Sequence, residues 1–168
     1  MSVMQSTSGW VIAPVAILLV MLVVLTAWWV SAPARALPRW LFRALVLLMI
    51  SALALPAALV LTVRDWLSWL VPLAREISDG SMVSVMVHFG LFVVVSGLLL
   101  HIRRDLPLAL LAGGLVVLAG LMELVQLWVD GRFASWLDFA VNLAGVVTGL
   151  VAVLLLHAVL PARNPIRS

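Results

Sequence analysis

Residues 108–128 read LALLAGGLVVLAGLMELVQLW, apolar throughout except for Glu123 and Gln126 near the end. A helix rises about 1.5 Å per residue, so a run of this length crosses a hydrocarbon core of about 30 Å. In water it would have no polar face to turn outward. It predicts a membrane-spanning helix. The carboxylate and amide it carries are residues that such a helix normally lacks.

Working outward, four more runs have the same character. The first extends from about Trp10 to Trp29 and contains Pro14; the second extends from about Leu41 to Val63 and contains Pro56. Proline is tolerated inside membrane helices where neighbouring groups satisfy the freed carbonyl. The third extends from about Ser81 to Leu100. The run quoted above is the fourth, with Asp105 and Pro107 marking its start. The fifth extends from about Leu137 to Leu160, with Pro161 as its stop and a Ser135–Asp138 capping box at its start. The expected fold is therefore all-α, a polytopic membrane helix bundle of five transmembrane helices.

Composition supports this. The chain of 168 residues is 65% hydrophobic and 10% charged, with a mean hydropathy of +1.27. A soluble domain needs far more charge to cover its surface. Six of the eight tryptophans (Trp10, Trp28, Trp29, Trp40, Trp128 and Trp136) stand at span ends, as in an interfacial aromatic belt. Ser31 to Ala36 resembles a signal cleavage site, but no basic residue precedes the first run, which is also too long for a signal core. The first run is read as a retained span.

Residues 64–80 differ from an ordinary loop. Trp66, Trp69, Leu70, Leu73 and Ile77 fall on one helical face, with Asp65, Arg75, Glu76 and Asp79 elsewhere. That pattern predicts a short helix lying in the membrane interface, kinked at Pro72. The chain then divides into residues 1–80 with two spans and the interfacial segment, a three-helix core at 81–160, and a tail at 161–168.

Arginine placement sets the expected orientation. Arg35, Arg39, Arg43, Arg103, Arg104, Arg163 and Arg167 fall on one side, against Arg64, Arg75 and Arg132 on the other. Positive residues concentrate on the cytoplasmic side, which puts the N-terminus outside and the C-terminus inside. The inverted arrangement keeps the same spans. The arginines occur singly or in pairs between apolar runs, so the pI of 11.4 speaks for membrane topology and not for nucleic acid. Without cysteine there are no disulfides, thiolate sites or cysteine nucleophile.

The polar residues inside the spans converge. His88 lies seven residues into the third span, Glu123 five from the end of the fourth, and Asn142 five into the fifth. At about 1.5 Å per residue, all three sit roughly 7 to 11 Å below the span ends on the outer side. Glu123 and Gln126 share a helix face, as do Asp138 and Asn142. Arg132 lies in the short connection between the last two spans. One outward-opening polar layer is expected. Asn142, Gly145 and Gly149 form a small-residue stripe on the fifth span, and Gly113, Gly114 and Gly120 lie on the fourth; both sets suit close helix packing.

The ordered set His88-Phe89, Glu123-x-x-Gln126, Gly131-Arg132, Asp138-x-x-x-Asn142-x-x-Gly145-x-x-x-Gly149 resembles the VanZ-like family of bacterial membrane proteins over about residues 80–155. Family members often carry Asp-Lys shortly before the histidine, where this chain has Ser84 and Val85. The family is named for a protein associated with resistance to the glycopeptide teicoplanin. The resemblance implies a cell-envelope role related to antibiotic resistance in the bacterial cytoplasmic membrane.

Each polar residue has two readings. His88 and Glu123 are candidate catalytic groups handling a proton, or helix-packing partners. Gln126, Arg132, Asp138 and Asn142 are candidate substrate contacts, with Arg132 suited to a phosphate. The alternatives are interhelical hydrogen bonds for Gln126 and Asn142, a headgroup anchor for Arg132 and a helix cap for Asp138. His101 and His157 stand at the opposite span ends and read as interfacial. Metal-ligand spacing on one helix is lacking, no Gly-x-Ser-x-Gly elbow is present, and no cofactor is implied. The expected partners are membrane lipids and a lipid-linked glycan precursor or glycopeptide-related envelope component, bound or processed at the outward site. The alternative is a non-catalytic assembly subunit whose polar cluster is structural. A proton-coupled transporter would need ionisable groups within the cytoplasmic halves of the last three spans, where the sequence has only His157, at the very end of the fifth.

Overall fold

The computed structural model describes residues 9–54, 62, 80–129 and 134–160. Within them the chain is all-helical. The elements are α1 (Gly9–Ser31), α2 (Ala36–Ala54), α3 (Gly80–Ile102), α4 (Leu108–Gln126) and α5 (Trp136–Val159). Three of these, α3, α4 and α5, are long and apolar enough to cross a membrane. The far end of the second predicted span, residues 64–79 of the predicted interfacial segment, and Arg132 lie outside the described residues, while Gly80 opens α3.

The helices share one apolar core. Phe92 and Val95 of α3 and Leu115 of α4 are almost fully enclosed, and Val46 and Met49 of α2 join the same cluster. Outward-facing positions are equally apolar: Leu25, Val117 and Leu155 are well exposed. A helix apolar on both its packed and exposed sides suits a bilayer.

In hydrocarbon, helices associate through close van der Waals fit, not through exclusion of water. The tightest fit is between α3 and α5. A Cβ built on Gly145 would come within 2.6 Å of the Phe89 carbonyl oxygen, and one on Gly149 would overlap Ser96 Oγ and the Val93 carbonyl. The fifth-span glycines therefore pack against the third span. The fourth-span glycines do not behave as expected: beside Gly113 and Gly114 there is open space, and Gly120 makes only ordinary contact with Phe139. Gly113 and Gly114 are exposed and bring no neighbouring helix close.

One end of the bundle gathers arginines around the C-terminus of α1, whose last carbonyls have no intrahelical donors. Arg43 donates to the Trp28 carbonyl at 3.1 Å and to Ser31 Oγ at 2.9 Å, with its guanidinium over the rings of Trp28 and Trp40. Arg103 donates to the Val30 carbonyl at 2.9 Å, and Arg39 to the Ala32 carbonyl at 3.3 Å. Cations at a helix C-terminus also complement its dipole. Asp105 does not cap α4; Pro107 occupies the cap position without a side-chain bond. The Asp105 carboxylate instead accepts two bonds of 2.9 Å from Arg103, the stronger charge-assisted option. That pairing holds the Asp105 carboxyl below the usual carboxylate range.

Candidate functional site

At the opposite end, three helices each contribute one polar side chain to a single buried chain of hydrogen bonds. His88 of α3, Glu123 of α4 and Asn142 of α5 are all buried, Asn142 completely. Asn142 Nδ2 donates to Glu123 Oε1 at 3.1 Å, and Asn142 Oδ1 lies 3.0 Å from His88 Nδ1. The direct His88 Nδ1–Glu123 Oε1 separation is 4.0 Å, beyond hydrogen-bond reach, so the Asn142 amide joins the two titratable groups.

With Glu123 as the carboxylate, this arrangement assigns the atoms their roles. A carboxylate only accepts, so the Asn142 NH₂ must face Glu123 and its carbonyl must face His88. An amide oxygen also only accepts, so His88 Nδ1 carries a hydrogen. In the neutral ring Nε2 is then left with a bare lone pair. Nε2 is buried and, among the described residues, has no hydrogen-bond partner; the same is true of Gln126 Nε2. Buried polar atoms are nearly always paired, so each of these two nitrogens stands out as a candidate contact for a ligand group.

The second oxygen of Glu123 has an unexpected partner. Ser135 caps α5 as the sequence suggests, with its Oγ accepting from the Asp138 amide at 3.3 Å. In a complete capping box the Asp138 side chain would return to the Ser135 amide. Instead the Ser135 N–H donates to Glu123 Oε2 at 3.1 Å. Glu123 takes over half of the box from another helix and ties the start of α5 to the end of α4. The Asp138 carboxylate, half-buried, has no hydrogen bond among the described residues.

Of the six residues singled out from sequence, His88, Glu123 and Asn142 are thus joined directly. Gln126 is buried one turn beyond Glu123, Asp138 lies one turn before Asn142 on α5, and Arg132 is outside the described residues. Each end of the Asn142 amide makes one bond to another helix, so it positions its neighbours and keeps one N–H and one lone pair beyond those bonds. Sequence reasoning missed the Ser135 amide as a Glu123 partner, because backbone donors leave no compositional trace. Among the described residues no group of three metal-ligating side chains gathers. The interfacial pair is linked as well: Arg104 donates to His157 Nε2 and, at 3.3 Å, to His101 Nδ1. Comparison with known proteins found no matching family model, no matching curated protein and no matching solved structure.

Proposed function

We propose that this chain is a VanZ-like cell-envelope protein of the bacterial cytoplasmic membrane, with five spans, an interfacial segment at 64–80, an outer N-terminus and a cytoplasmic C-terminus. Its outward polar site binds or processes a lipid-linked or glycopeptide-related envelope component. The observation that carries this reading is the unpartnered His88 Nε2, held as a bare acceptor by Asn142 and, through it, by Glu123. An imidazole with one nitrogen oriented by a hydrogen bond and the other free is the form in which histidine accepts a proton or a ligand hydroxyl. Gln126 adds amide donors in the same buried layer. Arg132, one loop away in sequence, supplies the charge suited to a phosphate.

The test is native mass spectrometry of the purified protein. Co-purification of a specific phospho-lipid, lost in Arg132→Ala and in His88→Ala while both proteins stay folded, supports the reading. Variants His88→Ala, Arg132→Ala and Glu123→Gln that insert normally and retain full envelope phenotype would sink it.

A second reading has its own support. Asn142 spends both ends of its amide between helices, and Glu123 spends both oxygens. That is what a non-catalytic assembly subunit with a structural polar cluster requires. It predicts that each substitution lowers folded protein in detergent in proportion to any loss of phenotype.

A further inference from the structure

A cavity of about 410 Å³ opens between α1, α2, α3 and α4, in the half of the bundle that carries the arginine end. It is separate from the His88–Glu123 layer at the opposite end. Its floor is closed by buried side chains, among them Val23, Val46, Val95 and Leu115. Its rims are well exposed: Leu22 on α1 is 55% exposed and Val117 on α4 is 61% exposed. The groove therefore opens sideways, toward whatever surrounds the bundle. Every lining side chain is apolar except Thr26, and Gly114 leaves room in the α4 wall, where a Cβ would meet nothing within 4 Å.

The polar end of the groove is strongly one-signed. Phe42 and Val46 line it from α2, and Arg39 stands one turn before Phe42 on the same helical face. Arg39 spends one guanidinium nitrogen on the Ala32 carbonyl, while its Nε is buried without a partner among the described residues. Arg35 lies on the connection before α2 and Arg43 on α2 itself, and Arg103 follows α3, whereas Arg104 is bonded to His157 of α5, which does not line the groove. Asp105 is the single acid at this end among the described residues, and Arg103 already holds it.

We propose that the groove is a binding site for an anionic diacyl phospholipid of the surrounding bilayer. One acyl chain lies along the floor between α1 and α4, and the phosphate is met by Arg39 and the neighbouring arginines. The chemistry divides accordingly: the floor offers dispersion contacts to a flexible hydrocarbon chain, and the arginine end favours a negative headgroup over a zwitterionic one. The volume lies within the range of ordinary ligand sites.

The test uses the full chain in detergent, titrated with phosphatidylglycerol and with phosphatidylethanolamine of identical acyl chains and followed by native mass spectrometry. The expected result is preferential retention of phosphatidylglycerol. Gly114→Phe should fill the groove and reduce retention of both lipids. Arg39→Gln should weaken phosphatidylglycerol alone, about fivefold. Helicity by circular dichroism checks that each variant is folded; should Gly114→Phe fail that check, Gly114→Leu replaces it. Equal retention of the two lipids overturns the headgroup assignment, and unchanged retention in the groove-filled variant overturns the groove. A lipid-free dimer that the groove-filled variant dissociates would assign the surface to a second copy of the chain and overturn the proposal. His88→Ala and Arg132→Ala should leave this binding unchanged, so its failure and that of the outward site are read separately.

Discussion

Glu123 on α4 accepts the backbone N–H of Ser135, the residue that caps α5, at 3.1 Å. One carboxylate thereby completes the start of a neighbouring helix while its other oxygen receives Asn142. Glutamine at this position offers one oxygen where two donors arrive, and turns an NH₂ toward the second. Glu123→Gln is expected to destabilise the bundle by about 1–3 kcal/mol, the cost of leaving a buried donor unsatisfied. Chemical unfolding in detergent measures it, and a variant as stable as the wild type contradicts the geometry.

The Asn142 amide predicts a spectroscopic state for His88. Nitrogen-15 NMR of the histidine ring should show the hydrogen on Nδ1 and a lone pair on Nε2. In Asn142→Leu that preference should weaken, because nothing then accepts from Nδ1. A wild-type ring protonated on Nε2 alone would show that the amide stands the other way round.

The glycines give a contrast within one protein. Gly145→Ala would press a methyl group to 2.6 Å from the Phe89 carbonyl oxygen and 2.9 Å from Phe92 Cβ. Overpacking of this kind costs roughly 1–3 kcal/mol. Gly113→Ala meets nothing within 4 Å, and its better helix propensity should leave stability unchanged or raise it by up to about 1 kcal/mol. Thermal unfolding of the two variants side by side decides it; similar losses in both would mean that α3 and α5 do not approach as described.

A pH effect follows from Arg103 and Asp105. The hydrogen bonds from Arg103 lower the Asp105 carboxyl below its ordinary value. A depressed carboxyl contributes stability that is complete above the unfolded-state value of about 3.9 and fades as pH falls through the lower folded value. Melting temperature should therefore fall in that acid window, and Asp105→Asn should remove this part of the slope. Asp105 is largely exposed, so the effect should be small and reduced by salt.

The sequence makes some of this legible and leaves the rest dark. The spans at 81–100, 108–128 and 137–160 follow from length and hydropathy, and they match α3, α4 and α5 to within a few residues. Depth arithmetic alone brings His88, Glu123 and Asn142 to one level, because a helix converts residue number directly into height. It does not say which helix faces which. The Gly145–Gly149 stripe looks the same in sequence whether it meets the third span or the fourth, and only packing assigns it to Val93 and Ser96. The Ser135–Asp138 spacing predicts a reciprocal box, but a carboxylate arriving from another helix took one of its bonds. Likewise Asp105 reads as a helix cap until Arg103, two residues earlier, claims both its oxygens.

All ten basic residues are arginine and none is lysine, and two of them at the end of α1 show what the guanidinium supplies there. Arg103 reaches the two oxygens of Asp105 and the Val30 carbonyl with three different nitrogens. Arg43 reaches the Ser31 hydroxyl and the Trp28 carbonyl while stacking on two indoles. A lysine ammonium carries the same charge for deciding which way the chain enters the membrane, but it has neither the flat face nor the fixed fork. Replacing Arg43 and Arg103 with lysine would therefore preserve the vote on direction and discard the clamp. Two jobs usually inferred from one count of positive charges come apart at these positions, and only the second demands guanidinium.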